Sequence, residues 1–148
     1  MAKRILVPLD QTPAAESVVP LVADTARGAR ATVRLLHVAP TPDNVVSDGQ
    51  IVAYADQEAA RLQAEAMDYL QTIELRLEGI PVECVIRFGD PVEEILDEVA
   101  AFGADLITMT AGHRHGLGRL FLGSTAQHVC RRTEVPVMVI QPGALVAV

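Results

Sequence analysis

Five short runs rich in branched side chains, Arg4 to Leu9, Thr32 to Val38, Val82 to Phe88, Asp105 to Thr110 and Val135 to Ile140, constrain this chain more than anything else in it. Each has the length of a strand, and several are apolar almost throughout, the pattern of strands covered on both faces. Helical spacing fills the segments between them. Thr12-Pro13 offers a cap and a favoured first residue for a helix to about Arg27, with Val18, Leu21, Val22 and Thr25 on one side and Gly28 as its stop. The longest helix runs from about Ile51 to Glu78, where Ala55, Ala59, Leu62, Ala66, Tyr69, Ile73 and Leu77 recur every three or four residues; this stripe and Tyr54 are assigned to the core. Asp90-Pro91-Val92-Glu93 starts a third helix with Ile95, Leu96, Val99 and Phe102 as its buried stripe. Ser124-Thr125-Ala126-Gln127 reads as a capping box for a last helix ending near Arg132. Strands alternate with helices, so the expected fold is α/β: a doubly wound, five-stranded, mainly parallel sheet with four helices and right-handed crossovers. With 148 residues, half of them apolar, residues 1–148 are expected to form one domain.

The same residues exclude several functions. Twelve Lys and Arg against 19 Asp and Glu give a net charge of −7, a field that repels phosphate backbones. Trp is absent and aromatic residues are few, so no row of rings can stack successive bases, and nucleic acid is not an expected partner. Lys3 is the only lysine, which removes any phosphate loop with an internal lysine and leaves Schiff-base chemistry one poorly placed candidate. Cys84 and Cys130 are 46 positions apart without metal-type spacing and read as buried thiols. The run after Lys3 and Arg4 is too short for a secretory signal or a membrane span, so the expected location is the cytoplasm, with no membrane partner.

In sheets of this kind ligands sit beyond the carboxyl ends of the strands, where strand order reverses, so the ends of strands one and four are the places to look. Strand one ends in Val7-Pro8-Leu9-Asp10. Strand four ends in Met109-Thr110-Ala111-Gly112, followed by His113-Arg114-His115-Gly116 and then by Gly123-Ser124-Thr125. Glycines admit close backbone approach to an anion, and the next helix start adds unpaired amides, so this stretch can form a phosphate nest. From Leu106 to Thr133 there are four arginines and no acid, a charge of +4, which leaves −11 on the other 120 residues. Gly118 to Thr125 has the glycine spacing of a P-loop, but Ser124 stands where the lysine belongs, and no Gly-x-Gly-x-x-Gly occurs. Asp10 either bonds the turn before Thr12 or contacts a ligand. Ser124 is both a helix cap and a phosphate ligand candidate. His113 and His115 read as solvent-facing rather than metal-binding, and His37 as bonded to backbone rather than a general base. Arg119 can steady a phosphate, while Arg131 and Arg132 suit the dipole at a helix end.

From Ile5 to Ile140 the chain resembles a universal stress protein. Ile-Leu-Val-Pro-Leu-Asp, Leu-Leu-His-Val, Gly-Asp-Pro-Val-Glu-Glu-Ile, Ala-Asp-Leu-Ile-Thr-Met, Gly-Leu-Gly-Arg-Leu-Phe-Leu-Gly-Ser-Thr-Ala and Val-Pro-Val-Met-Val-Ile follow in that order. The resemblance implies sheet order 3-2-1-4-5, an architecture like that of the adenine-nucleotide alpha-hydrolases, and an ATP site written Gly-x2-Gly-x9-Gly-[Ser/Thr]. Anchored on Gly123 and Ser124, that pattern places its first two glycines at Thr110 and His113; Gly112 can replace the second with one residue inserted. By resemblance Asp10 holds ribose, Pro8 and Val38 flank adenine, Met109 lines the base pocket, and Gly123, Ser124 and Thr125 bind phosphate. Three readings follow. The first is a stress sensor or regulatory module that binds ATP, or AMP or ADP, with or without Mg²⁺, and acts on a protein partner. The second is a dimeric scaffold whose pocket, altered at Thr110 and His113, takes no nucleotide. The third is a slow nucleotide hydrolase or nucleotidyl transferase, disfavoured because no base is placed and no carboxylates cluster. A homodimer through Val135 to Ile140 covers the open sheet edge.

Overall fold

A computed structural model describes residues 3–111, 114–115, 119–120 and 123–141. Its elements are β1 (Arg4–Pro8), α1 (Pro13–Glu16), α2 (Val19–Ala29), β2 (Thr32–Ala39), β3 (Val45–Ser47), β4 (Gln50–Ala53) and α3 (Ala55–Glu74). They continue with β5 (Val82–Phe88), α4 (Pro91–Phe102), β6 (Leu106–Thr110), β7 (Arg114–His115), β8 (Arg119–Leu120), α5 (Ser124–Arg132) and β9 (Val137–Ile140). The five long strands form one parallel sheet in the order β5-β2-β1-β6-β9, the expected 3-2-1-4-5. Strand order therefore reverses at β1, which has β2 on one side and β6 on the other.

Strand alternation divides the core between the two faces of the sheet. Val7, Val33 and Leu35 pack with Val18, Val22, Leu70 and Ile73 on one face. On the other, Leu6, Leu36 and Ile107 pack with Ile95 and Phe102 of α4 and with Ala126 and Val129 of α5. Each fully buried Leu or Ile contributes about 1.5–3 kcal/mol. The same face holds a charged group that the residue pattern did not announce. Glu98, 3% exposed, accepts from Arg87 Nε at 2.6 Å and from Arg34, while Arg34 also bonds Glu83 at 2.8 Å and lies 4.2 Å from the centre of the Phe102 ring.

Several local expectations need correction. The first helix is two helices: Thr12 caps α1 through Ala15 N at 3.1 Å, but Pro20 cannot donate to the carbonyl of Glu16, and its ring crowds that carbonyl. Nor is Gly28 the stop, because α2 continues to Ala29 and ends on Arg30 in the left-handed region at φ 54°. The long helix starts only at Ala55, because β3 and β4 form a hairpin before it. Asp48 and Gly49 sit at its tip with φ 51° and 75°, the pair of positive angles that a two-residue hairpin turn requires. Tyr54, at the cap position of α3, is 58% exposed and outside the core; of the predicted stripe, Ala66, Ile73 and Leu77 are buried, and Ala55, Ala59, Leu62 and Tyr69 are half-buried. Neither cysteine is buried. Cys84 is half-buried because β5 is an edge strand, and Cys130 is exposed because it lies one position out of phase with the buried Val129. Burial and a bond to Glu74 at 3.4 Å push the Cys84 thiol up to about 12. No helix among the described residues is long and apolar enough to cross a membrane.

Candidate functional site

The reversal at β1 opens a cleft of about 320 Å³ above the carboxyl ends of β1, β2 and β6. That volume falls at the lower end of the range for small-molecule sites. Pro8, Val38 and Met109 contribute apolar wall, with Leu36, Ile95 and Ala126 behind them. Asp10, Thr110, Gly123, Ser124 and Thr125 also line it. Eight residues singled out from the sequence thus surround one space; Gly112 and His113 lie outside the described residues. Sequence reading missed Thr12, Leu36, Pro91 and Ile95. Pro91 and Ile95 had a usable signal, since the helix that follows a parallel strand begins at the same end of the sheet as the ligand crevice.

Asp10 performs the local role foreseen for it and keeps capacity for another. Its Oδ1 accepts from Thr12 N at 3.0 Å and from Thr12 Oγ1 at 2.6 Å, and Thr12 Oγ1 in turn caps α1. Among the described residues no donor reaches Oδ2. The carboxylate is thereby held still with one oxygen left to accept, the arrangement that suits a sugar hydroxyl. The turn behind it is braced by His37, whose Nδ1 donates to the Leu9 carbonyl at 2.8 Å while Nε2 lies 3.4 Å from Gln11 Nε2. Gln11 itself has φ 67°, a left-handed conformation that turns the chain away directly after Asp10. His37 is therefore occupied with backbone support.

Three helices begin beside the cleft and differ in how their first amides are satisfied. Thr12 caps α1, and Asp90 Oδ2 caps α4 by accepting from Glu93 N at 3.0 Å. The cap residue of α5 is Gly123, not Ser124, and it brings no side chain to the helix start. Gly123 takes an extended backbone at φ −61° and ψ 157°, so Ser124 is already the first helical residue and the expected capping box does not form. The first bond inside the helix is Gln127 N to Gly123 O at 3.0 Å, which leaves the amides of Ser124, Thr125 and Ala126 without helical acceptors. Amides with no acceptor among the described residues, the positive end of the helix dipole and two adjacent hydroxyls are features that suit an anion.

The charges divide accordingly. Asp10 is the only charged side chain among the described residues lining the cleft. Arg132 is paired with Glu93 at 2.5 Å and 3.3 Å, which ties the end of α5 to α4. The backbones of Arg114 and His115 pair with those of Leu120 and Arg119 in a two-residue ladder. Among the described residues no group of three or more His, Cys, Asp or Glu could hold a metal ion.

Comparison with known proteins matches residues 1–141 to the Universal stress protein family. Universal stress protein MJ0577 of Methanocaldococcus jannaschii is 31% identical over 83 residues, 55% of this chain and 51% of that protein. The chain spans about half the length of the curated relatives it matches. A solved structure of MJ0577 superposes with a TM-score of 0.77 at 28% identity, covering 95% of this chain and 96% of that one. Two more distant structures share the fold at 17% identity: a universal stress protein in complex with cAMP, TM-score 0.67 over 95% of this chain and 98% of that one, and one from Archaeoglobus fulgidus in complex with dAMP, TM-score 0.63 over the same shares. The sheet order, the reversal at β1 and the match across residues 1–141 agree, and the chain belongs to the universal stress protein family.

Proposed function

We propose that this chain binds an adenine nucleotide in the cleft and acts as a cytoplasmic stress-response sensor or regulatory module toward a protein partner. One observation carries the reading: a single cleft brings together apolar wall from Pro8, Val38 and Met109, the Asp10 carboxylate with only Oδ1 bonded among the described residues, and the uncapped start of α5. An adenine base, a ribose and a phosphate present apolar, hydroxyl and anionic groups in that order. The cAMP and dAMP of the two distant relatives are ligands of this chemical class. ATP, ADP and AMP all fit the class; Mg²⁺ would ride on phosphate oxygens near the Ser124 and Thr125 hydroxyls, since the described lining offers one carboxylate. A single carboxylate and no histidine in the described lining supply no acid–base pair, so binding rather than hydrolysis is proposed. Titrating nucleotide-stripped protein with ATP by calorimetry is expected to give saturable one-site binding. An absence of heat at millimolar ATP would sink the reading and leave a scaffold whose cleft is blocked near Thr110.

We further propose a homodimer through β9. The two sheet edges differ: β5 carries Glu83 and Arg87, whereas Val137-Met-Val-Ile140 carries no charge to discourage a second strand. Light scattering at tens of micromolar is expected to return twice the chain mass, and the monomer mass would refute the dimer.

A further inference from the structure

We infer that the β3–β4 hairpin is a flap whose apolar face closes over the base in the cleft, with Val46 and Ile51 as two further base-contacting residues. The inference rests on the nucleotide reading above and adds a wall to that site. Val46 and Ile51 are direct cross-strand partners, so their side chains share one face of the hairpin. They are 59% and 49% exposed. Of the four large apolar side chains that the described residues leave exposed, Val46, Ile51 and Tyr54 are here, and only Leu75 lies elsewhere.

Two features place the hairpin at the cleft end of the sheet. The hairpin leaves the sheet at the carboxyl end of β2, where Val38 lines the base slot. Val46 is eight residues beyond Val38, a reach of at most about 28 Å. Asn44 Oδ1 accepts from Ala55 N at 2.9 Å, which clasps the two feet of the hairpin together and lets it move as a unit about that point. Among the described residues no hairpin side chain lines the cleft, and no other element packs extensively against the hairpin. A lone two-stranded hairpin is marginal in water, so its apolar face gains from a partner. The cleft has the complementary need, because sites for small ligands bury most of the ligand surface and its apolar lining comes from the sheet, α1, α4 and α5.

The test is calorimetry with ATP on the full chain, its Val46→Thr/Ile51→Thr double variant, which keeps strand propensity and charge, and a Leu75→Asp control, with thermal melts to verify folding. Both hairpin residues are exposed, so the double variant is expected to melt like the parent. Its affinity for ATP is expected to fall about tenfold or more, with Leu75→Asp unchanged. Cleavage of the parent at Asp48 by an Asp-specific protease is expected to slow when ATP is added. No ATP binding by the parent would overturn both the nucleotide reading and the flap. Parent binding matched by the double variant, or an equal loss in Leu75→Asp, would overturn the flap alone.

Discussion

Replacing Gly123 by aspartate is expected to weaken ATP binding by at least about 100-fold while leaving the fold as stable as before or a few tenths of a kcal/mol more so. The two effects have opposite signs because they draw on the same amides. At the cap position of α5 an aspartate oxygen reaches the second or third helical N–H, as Asp90 does at α4. Those are amides that the proposed phosphate needs. A hydrogen bond to a charged group contributes about 1.5–3 kcal/mol, so losing one of them and setting a like charge beside the phosphate together reach the ~2.7 kcal/mol that corresponds to 100-fold. Gly123→Asn separates the causes, since it caps without charge and should lose less. Paired urea melts and calorimetry measure both sides. If Gly123→Asp binds ATP like the parent, the start of α5 is not the phosphate site.

The fold was legible because its signals are redundant. Five branched runs, a proline-led start at Asp90-Pro91 and alternating periods agree on a parallel α/β sheet, while its strand order was implied by the family resemblance and matches the structure. Boundaries were lost where one residue overrode a pattern. Pro20 breaks an otherwise continuous stripe because a missing N–H outweighs side-chain periodicity, and a helix start placed at Ile51 passes over Asp48-Gly49, a strong short hairpin signal. At the site, the residues at strand ends were readable because strand order decides where a crevice opens. The cap of α5 was not: Gly123 and Ser124 both suit a helix start, and only the backbone angles decide between them. The Glu98 cluster was illegible for a different reason. Arg34, Arg87 and Glu98 are far apart in sequence, and each alone resembles an ordinary solvated charge.

That cluster makes Glu98→Ala strongly destabilising, by about 3 kcal/mol near neutral pH. Burial opposes ionisation of Glu98, but hydrogen bonds from Arg87 and Arg34 outweigh it and hold the carboxyl below its usual range. Removing it strips two half-buried guanidinium groups of their shared acceptor. Arg34 retains Glu83 and the Phe102 ring, and Arg87 retains Glu94 at 3.2 Å, which places the cost at the lower end for a broken buried pair. Because the folded-state value lies below the unfolded one, the stabilisation is fully present above the unfolded carboxyl value of about 4.3 and drains away as pH falls through the lower folded value. Urea melts of parent and variant should therefore differ most at pH 6–8 and converge in acid, with the slope m unchanged. A difference below about 1 kcal/mol at pH 7, or one that grows on acidification, would show that the cluster does not hold α4 to β2 and β5. The consequence for the site is positional. Pro91 and Ile95 line the cleft from the same helix that Glu98 anchors, so the ion cluster helps fix how α4 presents them to the cleft.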